Sequence, residues 1–200
     1  MGSSRHYLPA AGHDWLLPLY DPLVSLLGGD TAREVLLDQA AIRPTDRILD
    51  IGCGTGTLAV LIKRQHAEVQ VVGVDPDPKA LARARRKAER AGVSVQFEQG
   101  YSEELPHGTA SFDRVFSSFM LHHLPVPAKE RTLQGVRRVL APGGLLHVLD
   151  FGAEDRLLAL LREAGFTDAK VVARQPILFA SLAYYQASAP APKAGVAPPA

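Results

Sequence analysis

Residues 48–59 read Ile-Leu-Asp-Ile-Gly-Cys-Gly-Thr-Gly-Thr-Leu-Ala, and this stretch decides the fold. It joins an apolar strand, which carries Asp50 near its end, to an apolar helical stretch. Glycine lacks a Cβ atom, so the chain can turn sharply here and a ligand can lie directly against the backbone. The following helix presents unpaired N–H groups to that ligand. The glycines stand at alternate positions: Gly52, Gly54 and Gly56.

Two acidic residues stand at the ends of two predicted strands. The carboxylate of Asp50 would repel phosphate and attract an ammonium group, which distinguishes this turn from a phosphate-binding loop. The run 69–74 is β-branched and almost continuously apolar, so we predict a buried strand that leads into Asp75. A right-handed crossover sets this strand beside the first, and Asp75 can then accept hydrogen bonds from both hydroxyls of a ribose. These residues predict a site for a nucleoside that carries a cation.

The glycine loop by itself leaves two nucleoside cofactors open. Counted from Gly54, it reads Gly-x-Gly-x-x-Ala, which fits the dinucleotide fingerprint of NAD and FAD proteins. The same loop fits S-adenosylmethionine, whose methionine part carries an ammonium group. Asp50 favours S-adenosylmethionine, and an oxidoreductase that uses NAD is the second hypothesis.

The rest of the chain alternates between apolar strand patterns and amphipathic helix patterns. This alternation predicts an α/β fold with a Rossmann-like, doubly wound, mostly parallel sheet that has helices on both faces. Segments 169–173 and 177–185 are predicted to form a closing hairpin, and a short helix is expected at 22–27. Strands are predicted at 47–51, 69–74, 93–98, 113–117 and 144–150. Helices are predicted at 31–41, 57–66, 78–91, 127–140 and 154–164.

Three parts are expected along the chain. Residues 1–30 contain short apolar pieces interrupted by prolines and are predicted to form a lid over the site. Residues 31–186 form the cofactor-binding domain. Residues 187–200 are dominated by alanine and proline, which cannot bury enough surface to become ordered, and are predicted to be a flexible tail.

Composition agrees with a compact enzyme of 200 residues. A net charge of +1 gives no general attraction to nucleic acid or to an anionic membrane. A single cysteine excludes an internal disulfide, and no apolar run approaches the ~20 residues that would span a bilayer. No Asp, Glu, His or Cys stands at the helical i+4 spacing from the pair His122 and His123, so we expect no metal site. A cytoplasmic location without a nucleic-acid or membrane partner is therefore expected.

Four motifs together resemble the class I S-adenosylmethionine-dependent methyltransferases, over roughly residues 20–166. The resemblance is greatest to the small-molecule branch near the ubiquinone and menaquinone C-methyltransferases. It implies a seven-stranded sheet with an antiparallel pair at its C-terminal edge. The motifs are the glycine loop at 49–56, Gly-Val-Asp at 73–75, the segment Ser111–Leu124, and Arg-Val-Leu-Ala-Pro-Gly-Gly at 138–144.

The same resemblance implies a role for each site residue. Asp50 and the loop of Gly52, Cys53, Gly54 and Gly56 would hold the methionine end of S-adenosylmethionine, and Asp75 would hold the ribose. Pro76 would lie against the adenine. Tyr101 stands where the family often has an aspartate that bonds the adenine amino group, so adenine recognition would depend on backbone groups, on Ser102 or on stacking against Tyr101. The main-chain carbonyl near Ser117 would receive the ammonium group.

The methyl acceptor is expected to be a small molecule. His122 follows the fourth predicted strand, where a neutral imidazole could take a proton from a hydroxyl or amine. Tyr20 is the first lid residue expected to contribute to the active site. A homodimer is one arrangement that would close the site. A third hypothesis is a non-catalytic relative that binds the cofactor but transfers nothing.

Overall fold

The computed structural model describes residues 29–152, 154–177 and 180–191. Within them a seven-stranded sheet has the order β3-β2-β1-β4-β5-β7-β6. The predicted lid, including Tyr20 and the helix at 22–27, lies outside the described residues apart from residues 29 and 30. The strands are β1 (Arg47–Ile51), β2 (Gln70–Asp75), β3 (Gln96–Gln99), β4 (Phe112–Ser118), β5 (Leu140–Phe151), β6 (Thr167–Ile177) and β7 (Ala180–Ser188).

Helices and short turns connect these strands. The helices are α1 (Gly29–Asp38), α2 (Thr57–Gln65), α3 (Pro78–Ala91), α4 (Val126–Val139) and α5 (Glu154–Glu163). Two 3₁₀ turns, Ser102–Glu104 and Leu121–His123, follow β3 and β4. Strands β1 to β5 pair in parallel, whereas β7 is antiparallel to both β5 and β6. This arrangement confirms the predicted fold class, including the C-terminal hairpin.

The central parallel strands β1 and β4 are mostly buried because both faces of the sheet are covered. One apolar cluster, around Val115 and Leu133, includes side chains of α4 and α5. The other, around Ile48 and Leu81, includes side chains of α1, α2 and α3. The two layers of helices cover the faces of the sheet, and its carboxyl edge is left for the loops that form the site.

Among the parallel strands, two begin more than one residue away from their predicted starts, for local reasons. Strand β3 begins at Gln96 rather than at 93, because the N–H of Val93 is used to close the C-terminus of α3 on the carbonyl of Ala88 (3.1 Å). Strand β5 begins at Leu140, since the Gly143 N–H donates to Ala189 O (3.0 Å) and so continues the sheet through the Pro-Gly-Gly segment.

The predicted tail begins too early. Strand β7 continues to Ser188, and the side chains of Ala187 and Ala189 are 0% and 4% exposed. Ala187 and Ala189 belong to the apolar cluster that also contains side chains of α4 and α5, so these alanines are part of the core and not of the tail. Residues 192–200 lie outside the described part of the chain.

Candidate functional site

The carboxyl ends of β1, β2 and β4 border one cavity of about 360 Å³. Parallel strands direct their carboxyl ends to the same edge, and the loops that follow them form the walls of the crevice. The structure brings eight of the ten predicted cofactor residues into these walls. They are Asp50, Gly52, Cys53, Gly54, Asp75, Pro76, Tyr101 and Ser102.

Two predicted cofactor residues do not line the cavity. Gly56 is the N-cap of α2, and a Cβ there would stand 2.8 Å from the Ala84 Cβ and 2.9 Å from the Phe97 ring. Its role in the structure is therefore close packing against α3 and β3. Ser117 is fully buried, and the following residue, Ser118, lines the cavity.

The glycine loop is shaped by hydrogen bonds to the end of β2. Gly52 N and Cys53 N both donate to Val74 O, at 2.8 and 3.1 Å, and Gly54 N donates to Asp75 Oδ2 at 2.8 Å. Gly52, Gly54 and Gly56 all have φ values between +53° and +77°, a region that other residues rarely adopt. The side chain of Met120 also occupies the place where a Cβ on Gly52 would stand. Each of these constraints requires glycine.

Asp50 is a buried acid with an unused acceptor. It is 1% exposed, and its Oδ2 has no hydrogen-bond partner among the described residues. Burial raises the pKa of Asp50 to about 7, although the nearby charge of Arg33 opposes this increase. A positively charged donor bound beside Asp50 would give its Oδ2 a hydrogen-bond partner. It would also offset the free-energy cost of burying the charge of the carboxylate.

Asp75 is already oriented by the backbone. Its Oδ2 accepts from Gly54 N at 2.8 Å and its Oδ1 accepts from Asp77 N at 2.9 Å. Burial raises the pKa of Asp75, and these two N–H groups partly offset the rise. A carboxylate has about four acceptor positions, so two remain for hydroxyl groups of a ligand. The orientation of Asp75 therefore suits a vicinal diol.

The thiol of Cys53 remains protonated. Burial raises its pKa well above the usual value, and the charges of Asp50 and Asp75 contribute in the same direction. Cys53 therefore contributes its small size and its backbone to the loop rather than nucleophilic chemistry.

Arg33 is a lining residue that the sequence prediction missed. It is 8% exposed, it lies over the ring of Phe119 at 5.4 Å, and it lines the same cavity as Asp50. Its recorded partner is the exposed side chain of Asp30, at 3.2 Å. A sequence signal existed, because Arg33 shares the apolar stripe of α1 with the buried residues Ala32, Leu36 and Leu37. A buried guanidinium group needs a polar partner, so an arginine on such a stripe indicates a polar site nearby.

The two adjacent histidines face different surroundings. Residues in a 3₁₀ turn are about 120° apart around its axis, so the two rings meet different neighbours although they contact each other. The His122 ring lies against the buried carboxylate of Asp150, with Nδ1 2.6 Å from Oδ1, and it borders a smaller pocket of about 60 Å³. His123 lines the main cavity, and partial burial together with the charge of His122 lowers its pKa. The sequence therefore predicted the histidine that borders the smaller pocket, His122, and not His123, which lines the main cavity.

Aromatic side chains surround this histidine pair. The His122 and His123 ring centroids are 3.9 Å apart, and the Phe151 ring meets His122 edge-on at 5.1 Å. Phe119 lies 5.7 Å from Phe151 and also lines the main cavity. Phe151 is 42% exposed, an unusual position for a phenylalanine beside a cavity. We call Phe119, His122, His123 and Phe151 the aromatic rim.

Comparisons with known proteins agree with this geometry. Residues 48–144 match the family model of a methyltransferase domain. The chain is 35% identical over 69% of its length to an uncharacterised methyltransferase of Synechocystis, and 40% identical over 68% to a demethylmenaquinone methyltransferase of Thermus thermophilus. It spans 63% and 62% of the length of these two relatives.

The fold has close counterparts among solved structures. One is an S-adenosylmethionine-dependent methyltransferase from Thermotoga maritima, described as a possible histamine N-methyltransferase, with a TM-score of 0.68. The alignment covers 88% of this chain and all of that one at 22% identity, so it bears on the fold alone. Within the described residues, no helix is long and apolar enough to cross a bilayer. The chain therefore carries a methyltransferase domain over residues 48–144, and it shares its fold with a solved S-adenosylmethionine-dependent methyltransferase.

Proposed function

We propose that the chain binds S-adenosylmethionine and transfers its methyl group to a small-molecule acceptor. The observation that carries this proposal is the buried carboxylate of Asp50, which keeps an unused oxygen beside a cavity with a glycine-loop wall. An ammonium group complements this carboxylate, whereas the phosphates of NAD would be repelled by it. The aspartate thus favours an amino-acid nucleoside as the ligand.

The cavity walls suggest how this ligand would be held. Asp50 would accept from the ammonium group, with the carbonyl near Ser117 as a second acceptor, and Arg33 would pair with the carboxylate of the methionine part. Asp75 would accept from the two ribose hydroxyls, and Pro76 would pack against the base. The bare backbone of the glycine loop would let the ligand lie at van der Waals distance. Opposite charges on Asp50 and Arg33 suit the two charges of an amino acid.

The bound cofactor would supply an electrophilic methyl group on a positively charged sulfur. The contribution of the chain is then alignment and exclusion of water, and orientation alone can lower the barrier by up to ~7–11 kcal/mol. We assign the acceptor to the aromatic rim, which adjoins the main cavity through Phe119 and His123. Tyr20 is proposed to cover the acceptor from the N-terminal lid.

His122 is proposed to hold the proton that the acceptor releases. Asp150 is 3% exposed and accepts from His122 N at 3.0 Å and from Phe151 N at 2.8 Å, so its carboxylate is fixed. Its contact with Nδ1 keeps the proton of a neutral imidazole on that nitrogen, which leaves Nε2 as the proton acceptor. A positioned base of this kind contributes roughly 10²–10⁴-fold to a rate.

Ligand binding is the first test of the function. The Tm of the purified protein should rise with S-adenosylhomocysteine and not with NADH, because a ligand of the native state stabilises it according to occupancy. At a concentration of one hundred times Kd, the gain is about 2.7 kcal/mol. Asp75→Ala should remove the effect, whereas Asp38→Asn, on the exposed end of α1, should keep it. Stabilisation by NADH alone would refute the proposal.

Transfer is tested separately with a library of small hydroxyl, amine and carbon acceptors and a methyl-labelled cofactor. His122→Ala should lower kcat by about 10²-fold or more and leave the Kd of S-adenosylhomocysteine unchanged. Asp150→Asn should shift the pH dependence of kcat, because an amide cannot orient the imidazole in the same way. Cofactor binding without turnover on any acceptor would instead identify a non-catalytic relative.

A further inference from the structure

The aromatic rim separates the main cavity from the small pocket of about 60 Å³. Phe119 and His123 line the main cavity, whereas His122 and Phe151 line the small pocket. The rings meet across this division, since the centroids of the two histidines are 3.9 Å apart and those of the two phenylalanines are 5.7 Å apart. One layer of rings therefore divides the two spaces, and a single acceptor molecule can contact both.

Two cations line the small pocket. Lys129 lies in the first turn of α4, and Arg156 lies in the first turn of α5. No hydrogen bond or ion pair of either side chain is recorded with any residue that the structure describes. Their acidic neighbours in the sequence are Glu130 and Asp155, and adjacent residues on a helix do not face each other. Both positive charges therefore remain available to a ligand.

The first turn of a helix is an unfavourable place for a cation. The N-terminal end carries a partial positive charge, so Lys129 and Arg156 each destabilise their own helix. Two cations that line one pocket also repel each other. The acid of the pocket, Asp150, is already engaged by His122 and by the N–H of Phe151. An anion held between the two cations would offset both penalties.

The rest of the lining limits the charge and the size of this anion. With a neutral His122, the two cations and Asp150 leave a net charge of +1, which matches a monoanion. Leu157 and Leu160 add buried apolar surface, and a volume of about 60 Å³ suits one functional group rather than a whole acceptor. A carboxylate meets these conditions, whereas a phosphate dianion carries more charge than the lining balances.

We propose that the small pocket binds the carboxylate of an organic acid, and that the methyl acceptor is such an acid. The guanidinium of Arg156 offers two parallel donors to a carboxylate, and Lys129 adds a compact second charge. The body of the acid would lie across Phe151 and His122. A hydroxyl or amine of the acid would form the bond to the methyl carbon as the carbon–sulfur bond breaks toward sulfur, and its proton would pass to His122. The second half of the proposal rests on the proposed function.

The anion site is tested without the cofactor, with benzoate as the probe and benzamide as its neutral counterpart. The readout is the imidazole resonance of His122 in the NMR spectrum of histidine-labelled protein, identified by its loss in His122→Gln. Benzoate should shift this resonance with a saturable dependence on concentration. Benzamide should bind about tenfold more weakly or less, because it offers no charge to the cations. Inorganic phosphate should also bind more weakly than benzoate.

Substitutions of the two cations assign the site. Lys129→Gln and Arg156→Gln should each raise the Kd of benzoate about fivefold or more and leave the Kd of S-adenosylhomocysteine unchanged. Arg162→Gln is the matched control, because Arg162 is exposed on α5, lies outside the pocket lining and loses the same charge. Its Kd for benzoate should equal that of the wild type. Equal weakening in Arg162→Gln would indicate a general effect of net charge and would overturn the inference.

The remaining outcomes separate the inference from the function on which it rests. No saturable shift with benzoate, an equal shift with benzamide, or tighter binding of inorganic phosphate would overturn the inference and leave the proposed function intact. In the transfer assay, Arg156→Gln should raise the KM of an acid acceptor about fivefold with little change in kcat. A neutral acceptor with the same KM in both proteins would overturn the assignment of the acceptor. Benzoate binding by a protein that does not bind S-adenosylhomocysteine would refute the proposed function and keep only the anion site.

Discussion

Asp46 and Asp50 stand four residues apart at opposite ends of β1, and both are almost completely buried, at 6% and 1% exposed. Asp46 accepts from Arg114 Nε at 2.6 Å and from Arg43 N at 2.9 Å. Asp50 keeps an oxygen without a partner among the described residues, and its pKa is raised to about 7. The same residue type is thus satisfied at one edge of the sheet and left unsatisfied at the other.

The contrast extends beyond this pair. At the amino edge, Asp113 accepts from the side chain and the backbone of Arg47, which ties β4 to β1 a second time. At the carboxyl edge, Asp77 as well as Asp50 retains an oxygen with no recorded partner in the described part of the chain. Asp150 is the exception at that edge, because His122 and Phe151 occupy its carboxylate. The carboxylates at the amino edge stabilise the fold, whereas those at the carboxyl edge keep oxygen atoms available to a ligand.

The largest effect should follow from Asp46→Ala. Removing one partner of a buried ion pair leaves the charge of Arg114, 6% exposed, uncompensated, at a cost of about 3–5 kcal/mol. Urea denaturation should report this loss in the free energy of unfolding. The Asp50→Ala variant should lose much less stability, since no recorded partner of Oδ2 is stranded among the described residues. Equal losses in the two variants would remove the distinction between the edges.

Two glycines of the loop differ in the same way, one being closely packed and the other facing open space, and the expected effects on stability are smaller. A Cβ at Gly56 would stand 2.8 Å from Ala84 Cβ, whereas nothing lies within 4 Å of a Cβ at Gly54. Both residues have positive φ, so Gly54→Ala should cost about 1–2 kcal/mol of backbone strain. Gly56→Ala should cost about 2–4 kcal/mol, because overpacking is added to strain. Only Gly54→Ala should weaken S-adenosylhomocysteine beyond its effect on stability, as measured by calorimetry.

Sequence patterns predicted most of the fold because parallel strands buried on both faces and amphipathic helices have distinct periodicities. They also identified Asp50 and Asp75, which are adjacent in sequence to the glycine loop and to a strand end. They missed Arg33 and Glu103, whose place in the cavity depends on how α1 and α4 dock against distant loops. They selected His122 and not His123, which lines the main cavity, since only the direction of the 3₁₀ turn decides which ring meets Asp150.

The third prediction concerns the unpaired acid itself. Asp50→Asn should weaken S-adenosylhomocysteine by about tenfold to one hundredfold at pH 8, the value of a hydrogen bond to a charged group. In the wild type, a ligand ammonium group requires ionised Asp50, whose pKa is about 7 in the free protein. Affinity should therefore rise between pH 5.5 and 7, by up to about tenfold per pH unit, and then level off.

The control for this pH dependence is the asparagine variant, which has no titrating group at position 50. Its affinity should be nearly independent of pH over the same range. A pH profile that is the same in both proteins would assign the titration to another group and would remove the electrostatic role of Asp50.

The last prediction concerns His147, a buried histidine in the middle of β5. It is 1% exposed and stacks on Phe116 at 5.1 Å, and burial, assisted by the charge of Arg114, lowers its pKa to about 3. Below pH 6.5 the unfolded chain binds a proton that the folded chain does not, so the free energy of unfolding falls by up to ~1.4 kcal/mol per pH unit. Asp50 has the opposite sign, because its raised pKa makes the folded state bind the extra proton between about pH 4 and 7.

These two groups should largely cancel between pH 4 and 6.5 in the wild type. His147→Gln removes the acid-destabilising group, so its stability relative to the wild type should increase as the pH falls through this range. Adding Asp50→Asn should remove the remaining, opposite slope, and urea denaturation at several pH values measures each difference. If His147→Gln leaves the slope unchanged, His147 has the same pKa in the folded and the unfolded chain, and the destabilising effect assigned to its burial is refuted.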